Sequence, residues 1–441
     1  MSKDRATGEA SYRVAHGGCV RGEVTVPGDK SVSHRSVLFG AIAEGTTEVD
    51  NFLESEDCLA TLNAMRAMGV EVERPAPGRV IVRGVGLQGL QAPSHPLDMG
   101  NAGTAMRLSM GLLAGQSFDT RLVGDASLSR RPMERAATPL RQMGAVIDTS
   151  LGRPPVTVHG GHALAGIDYA LEVASAQVKS AVLIAGLYAS GETVVREPAV
   201  TRDHTERMLR AFGVEVASVA GRVSLHGGQK LHATQLRVPG DISSSAFFLV
   251  AGVLAAEGPF LIRDVGINPT RTGVLEILRL MGADIRVLSP RLAGDEPVAD
   301  LEVHRSELKG IDVPEALVPL AIDEFPVLFV AAACARGTTH VTGAAELRVK
   351  ESDRIAVMAE GLRRLGVDAE PTPDGMRISG GALHGGRIDS HGDHRIAMAF
   401  AVAALRATGD LIIDDVANVA TSFPDFPAMA RHAGIAIEEI R

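Results

Sequence analysis

The sequence predicts an α/β (α+β) protein of two similar domains, each built from three β-α-β-α-β-β units. Three observations predict it. The chain has 441 residues, 45% hydrophobic and 22% charged, which is too long for one ordinary core and apolar enough to fill two. One phrase, a short amphipathic helix, a glycine and then a strand, recurs six times. A half-repeat is visible as well, VPGDKS from Val26 and VPGDIS from Val238.

The recurring phrase reads TLNAMRAMGVEVE, PLRQMGAVID, RMLRAFGVEV, EILRLMGADIRV, GLRRLGVDAE and AMARHAGIAIEEI. Gly69, Gly144, Gly213, Gly282, Gly366 and Gly434 sit where a helix ends and the backbone must turn with positive φ. The alternating apolar residues after each glycine predict a strand. A second phrase lies between these, an Ala-rich apolar helix running into a strand, as in SVLFGAIAEGTTEVD, AFFLVAGVLAAEGPFLI and VLFVAAACARGTTHV. Short strands such as RVIVRG, PVTVHG, RVSLHG, LEVHR and MRISG close several of the units, each about 70 residues long and too large for a solenoid period. Three units fall on each side of the second VPGD mark. The expected domains are 22–240 and 241–441, with residues 1–21 an N-terminal strand pairing into the second. The chain then crosses twice, near 21–27 and 236–241. Aromatics are only 3% with no Trp, so Ala, Val, Leu, Ile and Met must make the core.

Composition excludes several classes of function. A formal net charge of −9 without a basic tract argues against nucleic acid. Cys19, Cys58 and Cys334 are scattered and odd in number, which fits a reducing compartment without a disulfide framework. The N-terminal MSKDRATGEASY has no apolar targeting core, and no run of 18 clean apolar residues occurs. A soluble cytoplasmic protein is the expectation.

The helices carry their unusual residues at their beginnings: GDKSVSHR, GNAGTAMR, SAQVKS, GDISSS, IDEFP and GDHR for the first helix of each unit, and ESEDC, SLSRRPM, TRDHTE, NPTRTG, RVKESDR and TSFPDF for the second. Ser, Asp, Asn and Gly there cap exposed N–H groups, which explains many of them without function. Capping does not explain Lys30, Arg35, Arg131, Lys350, Arg354 and Arg395, because cations in a first turn oppose the helix dipole. Each alone reads as a solvated surface residue; their repetition favours a site for a ligand with several negative groups, in a cleft between the domains. Asp323 and Glu351 lie beside these cations. A carboxylate next to a Lys moves a proton either way, and spacing leaves a structural ion pair equally open.

The motifs PGDKSVSHR, GNAGTAMRL, DASLSRRPM, ASAQVKSA, TRDHTE, NPTRTG, IDEFP, RVKESDR and GDHRIAM resemble EPSP synthase, 3-phosphoshikimate 1-carboxyvinyltransferase, in order over nearly the whole chain. The forms SAQVK, RDHTE and NPTR are similar to the class II bacterial branch of that enolpyruvyl transferase family. The resemblance implies two domains of the inside-out α/β barrel type closing on shikimate 3-phosphate and phosphoenolpyruvate, with no metal and no cofactor. It implies that Lys30, Ser31 and Arg35 hold shikimate 3-phosphate, Lys30 also reaching phosphoenolpyruvate. Ser175, Ala176, Gln177 and Arg202 would bind the shikimate phosphate and ring; Asp323 and Lys350 would reach its hydroxyls. Gly103, Arg131, Arg354 and Arg395 would surround phosphoenolpyruvate, and Asn101 of the same GNAGTA motif joins the substrate-binding set. Thr421 and Ser422 stand where some members carry a Lys before FPD.

In the implied reaction, C3 of phosphoenolpyruvate gains a proton while an alcohol attacks C2, and the tetrahedral intermediate expels phosphate. Glu351 is the expected proton donor at C3. Asp323, with Lys30 or Lys350, takes the hydroxyl proton, so Asp323, Glu351 and Lys30 form the catalytic set. The place of the reaction is the shikimate pathway to chorismate and aromatic amino acids. Gly103 carries no side chain, so glyphosate is an expected inhibitor, and the expected form is a monomer. Other signals are weaker. GVGLQG is followed by two prolines and opens no helix, GDKS lacks an upstream P-loop Gly, and His391 with His394 has no further ligand cluster. Cys58 reads as core filler. The rival functions are a UDP-N-acetylglucosamine enolpyruvyl transferase, which opens on GAKN rather than GDKS, an RNA 3′-phosphate cyclase, and a non-catalytic small-anion-binding protein.

Overall fold

Each apolar first helix is buried on nearly every face, and this decides the architecture. A helix apolar all round has no solvent side, so it must sit inside. In the computed structural model, which describes residues 10–440, three such helices form the centre of each of two compact units. One unit holds Lys30–Ile42, Gly103–Leu113 and Ala176–Gly186; the other holds Ile242–Ala255, Phe325–Ala333 and His394–Ala403. Every residue of Ile242–Ala255 and of Phe325–Ala333 is buried. Close approach requires small residues: a Cβ on Gly111 would stand 2.2 Å from the carbonyl oxygen of Ala181 on the neighbouring helix. Two separate apolar cores result, one for each unit.

The sheets repeat one topology. Leu97–Asp98 runs parallel to Thr120–Val123 across an intervening helix, and Arg153–His159 and then Val146–Ser150 follow antiparallel. The same order joins Asp168–Ala170, Glu192–Arg196, Arg222–His226 and Val216–Val219. The six glycines of the repeat all take positive φ, from 86° at Gly69 and Gly213 to 107° at Gly144, which ends each outer helix and turns the chain into its strand.

Two strands trade places around the half-repeat. Gln235–Arg237, late in the sequence, is the parallel neighbour of Glu44–Asp50, while Glu23–Thr25, early in the sequence, is the parallel neighbour of Phe260–Gly266. The strand that leads into VPGDKS therefore serves the C-terminal unit, and the strand that leads into VPGDIS serves the N-terminal one. By compactness one unit comprises Pro27–Pro239 with Leu292–Pro297; the other takes the described residues up to Val26, then Gly240–Arg291 and Val298 onward. The excursion Leu292–Pro297 is the tip of the hairpin Asp284–Ala293/Glu296–His304.

The N-terminal strand Ser11–Val14 lies between Leu411–Asp414 and Ile437–Ile440, antiparallel to both; residues 1–9 lie outside those described. Ser11 Oγ donates to Asp414 at 2.8 Å, and Arg13 pairs with Asp410 at 3.0 Å. Among the described residues no helix is long and apolar enough to cross a membrane.

His16 and Arg13 together hold the Asp410 carboxyl down at about 2. A carboxylate with a lowered folded-state value contributes stability above its unfolded value, near 4, and loses that contribution as pH falls through about 2. Asp410→Asn is therefore expected to lower the melting temperature at pH 6. The gap to wild type should close between pH about 4 and 2, measured by circular dichroism.

Candidate active site

Most polar groups of these buried helices collect towards their starts. In the N-terminal unit they tie three helix starts together. Arg35 Nε donates to Thr205 Oγ1 and its Nη2 to Ser180 Oγ, both at 2.8 Å, while Nη1 reaches the Ser31 carbonyl at 2.9 Å. Only 3% of Arg35 is exposed. Burial pushes its pKa down to about 10, against the pull of Glu206 and Asp29, so it stays charged at neutral pH. It braces the ground around Ser31 from inside. Lys30, the first helical residue, pairs with the carboxylate of Asp57, and Asp29 caps the helix by accepting from Val32 N at 2.9 Å. Behind them His34 is buried at 2.7 Å from Thr61 Oγ1; burial first, then Lys30 and Arg35, hold it neutral.

The second and third helix starts interlock. Arg107 Nη1 donates to Gln177 Oε1 at 2.5 Å and Nη2 to the Pro132 carbonyl at 2.9 Å, while Gln177 Nε2 donates to Thr104 Oγ1 at 2.9 Å. Asn101 accepts from Arg131 and donates to Asp125 at 2.8 Å. Gly103 opens its helix beneath two guanidiniums: a Cβ there would stand 3.0 Å from Arg107 Nη1 and 3.1 Å from Arg131 Nη1. Two cations over the positive end of a helix dipole are a combination suited to an anion. Ser175 caps the third helix, accepting from Val178 N at 3.4 Å, with Ala176 and Gln177 as its first residues. Arg202 lies near enough to Arg35 to lower its pKa by repulsion.

The C-terminal unit gathers acids as well as bases. Arg354, 1% exposed, opens its helix with Nε 2.8 Å from Asp393 Oδ2, Nη2 2.6 Å from Glu351 Oε2 and Nη1 3.4 Å from Asp323 Oδ1. Burial works against its charge, but Asp393, Glu351 and Asp323 outweigh it and hold its pKa above the usual range. Lys350 Nζ lies 3.5 Å from Asp323 Oδ1, and Arg395 Nη1 donates to the Asp323 carbonyl at 2.9 Å. Asp393 is wholly buried; it caps the next helix through Arg395 N at 3.0 Å and accepts from Ser352 at 3.0 Å. Beside them Glu324 accepts from Ser243 and lies 3.5 Å from Arg271.

Asp323, Lys350, Glu351, Arg354 and Arg395 are thus one cluster, and Lys30, Ser31, Arg35, Asn101, Gly103, Arg131, Ser175, Ala176, Gln177 and Arg202 crowd the helix starts of the other unit. The expectation that all six cations occupy first turns is corrected. Lys30, Arg354 and Arg395 do, whereas Arg35 is one turn deeper and Arg131 and Lys350 precede their helices. Arg107, Asp57, Asp393 and Glu324 were missed as partners. Arg107 was legible, four residues after Gly103 and so on the same helix face; Asp393 shows only as a cap. Removing Arg354 strands the buried Asp393 carboxylate, so Arg354→Met is expected to cost about 3–5 kcal/mol, read from urea unfolding.

A family model, EPSP synthase (3-phosphoshikimate 1-carboxyvinyltransferase), matches residues 14–429. The chain is 62% identical to 3-phosphoshikimate 1-carboxyvinyltransferases of Methylococcus capsulatus and Alkalilimnicola ehrlichii, over 97% of its length and 98% and 96% of theirs. A solved EPSP synthase from Acinetobacter baumannii is similar at TM-score 0.88 and 56% identity, covering 98% of this chain and all of that one. The polar helix starts, the repeated units and these likenesses lead to one conclusion: the chain belongs to the EPSP synthase family.

Proposed function

We infer that the protein transfers the enolpyruvyl (1-carboxyvinyl) group of phosphoenolpyruvate to the 5-hydroxyl of shikimate 3-phosphate. The products are 5-enolpyruvylshikimate 3-phosphate and inorganic phosphate, in the shikimate pathway to chorismate. The observation that carries the chemistry is the pair Asp323 and Glu351, both on the buried guanidinium of Arg354, with Lys350 and Arg395 alongside.

Glu351 gives a proton to C3 of phosphoenolpyruvate as the substrate oxygen bonds to C2, and Asp323 takes the proton of that hydroxyl, with Lys350 or Lys30 sharing it. In the second step C3 returns its proton to Glu351, the C2–C3 double bond re-forms, and the C2–O bond to phosphate breaks with its electron pair, the leaving phosphate taking up the proton held at Asp323. Arg131, Arg354 and Arg395, with Asn101 at Arg131 and Gly103 leaving room, neutralise the carboxylate and phosphate of phosphoenolpyruvate. Guanidiniums already fixed by protein acceptors, Arg131 by Asn101, Arg395 by the Asp323 carbonyl and Arg354 by carboxylates, need no reorganisation as charge moves, which is where such sites derive their rate. Lys30, Ser31, Ser175, Ala176, Gln177 and Arg202 hold shikimate 3-phosphate, and Arg35 supports them from the interior. Side chains supply every proton and countercharge in this scheme, so the reading includes no metal and no cofactor. It also takes the protein as a monomer in the cytoplasm.

Phosphate release tests the reading. Release from phosphoenolpyruvate is expected only with shikimate 3-phosphate, and Glu351→Ala should lower kcat by about 100-fold or more. Release with UDP-N-acetylglucosamine instead would move the activity to the sister reaction, and silence with both acceptors would sink the assignment. Glyphosate is expected to compete with phosphoenolpyruvate, because Gly103 carries no side chain that would press on Arg107 and Arg131. An inhibition constant far above the phosphoenolpyruvate KM would overturn that expectation.

A further inference from the structure

The segment between strand Glu192–Arg196 and helix His204–Ala211 has no regular secondary structure, yet it carries Arg202. No backbone ladder fixes it, so side chains must. Lys179, the fourth residue of helix Ala176–Gly186, is 1% exposed and directs its ammonium into this segment. Its Nζ lies 3.0 Å from Glu197 Oε2, 2.7 Å from Glu206 Oε1 and 3.4 Å from the Thr201 carbonyl oxygen. Glu197 Oε1 accepts from Thr201 N at 3.2 Å and also from the Thr201 hydroxyl. Both carboxylate side chains are 2% exposed or less. One ammonium therefore joins the start of the segment, the residue before Arg202 and the first turn of the helix that follows. Just past Arg202, His204 Nδ1 lies 2.8 Å from the buried Glu296 Oε1, and Arg207 donates to the Asp295 carbonyl at 2.9 Å.

Ions removed from water cost several kcal/mol each unless well paired, and apolar packing would close the same space more cheaply. What an ammonium adds is direction: it donates to Glu197 Oε2 and to the Thr201 carbonyl while its charge faces the Glu206 carboxylate. The charges balance locally: Arg35 and Lys179 face Glu197 and Glu206, and Arg35 is held by Thr205 and Ser180, the sequence neighbours of Glu206 and Lys179. The helix that supplies Lys179 also begins with Ser175, Ala176 and Gln177.

We propose that Lys179, Glu197 and Glu206 are positioning residues that hold Arg202 in register with the start of helix Ala176–Gly186, and so set affinity for the phosphorylated acceptor. This rests on the reading that Arg202 and Ser175–Gln177 bind shikimate 3-phosphate. The three residues act through Arg202.

Steady-state kinetics of Arg202→Ala, Glu197→Gln and the double variant test it, with melting curves alongside. Glu197→Gln keeps the size of the side chain and an acceptor for Thr201 while removing the charge that Lys179 engages. Arg202→Ala is expected to raise the KM for shikimate 3-phosphate about tenfold or more. Glu197→Gln should raise the same KM severalfold, leave kcat and the phosphoenolpyruvate KM within about twofold, and add little in the Arg202→Ala background. A wild-type KM in Glu197→Gln, beside a raised one in Arg202→Ala, would overturn the proposal alone. A full further increase in the double variant would overturn it too. An unchanged KM in Arg202→Ala would overturn the assignment of Arg202 and the proposal with it. If Glu197→Gln does not fold, Lys179→Arg decides by the same KM split, since it keeps the charge but misplaces the donors.

Discussion

A helix that is apolar on every face can express polarity only at its ends, and the rest of this structure depends on that constraint. The six inner helices cannot hold a charged residue along their length without burying it. The residues able to meet an anion therefore collect where each helix begins, where four N–H groups lack intrahelical partners and the dipole is positive. Asp29, Ser175, Asp241 and Asp393 cap four of these starts with side-chain oxygens. Gly103 opens a fifth with no side chain at all. Core and site are two consequences of one sequence pattern.

The two units use this ground differently. Buried Arg35 is surrounded by neutral acceptors, two hydroxyls and a carbonyl, and burial lowers its pKa. Buried Arg354 is surrounded by three carboxylates, and its pKa rises. Neutral acceptors fix a cation's position without adding charge of their own, as Gln177, the Pro132 carbonyl and Asn101 do for Arg107 and Arg131. A guanidinium shared among carboxylates does the converse and orients Asp323 and Glu351. In the proposed function the first arrangement would serve the binding of phosphate and carboxylate groups, the second the movement of protons beside them.

The repeat also explains why the chain is not simply cut in half. Glu23–Thr25 and Gln235–Arg237 precede the two VPGD marks, and each completes a sheet of the unit other than the one its VPGD mark opens. Parallel strands need a crossover but do not require that the crossing helix be adjacent in sequence to both strands. Ser11–Val14 fills the remaining gap between Leu411–Asp414 and Ile437–Ile440.

By itself the sequence determined the repeating unit, the six positive-φ glycines and the helix starts that carry the site. Each is a local matter, a periodicity of apolar residues, a Cβ that cannot be accommodated or a cap, and local chemistry is legible in one dimension. It also pointed to Lys30, Asp323, Glu351, Arg354 and Arg395, since acids and cations in or just before helix starts stand out against apolar helices. Only the tertiary structure decided the partners. That Asp57 belongs to Lys30, that Arg107 and Arg131 converge over Gly103, and that Arg354 takes Asp393 from 39 residues away follow from how buried helices dock. The same holds for the depth of Arg35 and for Lys179, which reads as one more surface lysine until Glu197 and Glu206 enclose it. Burial turns an ordinary charge into a directed one, and burial is a property of the packed chain.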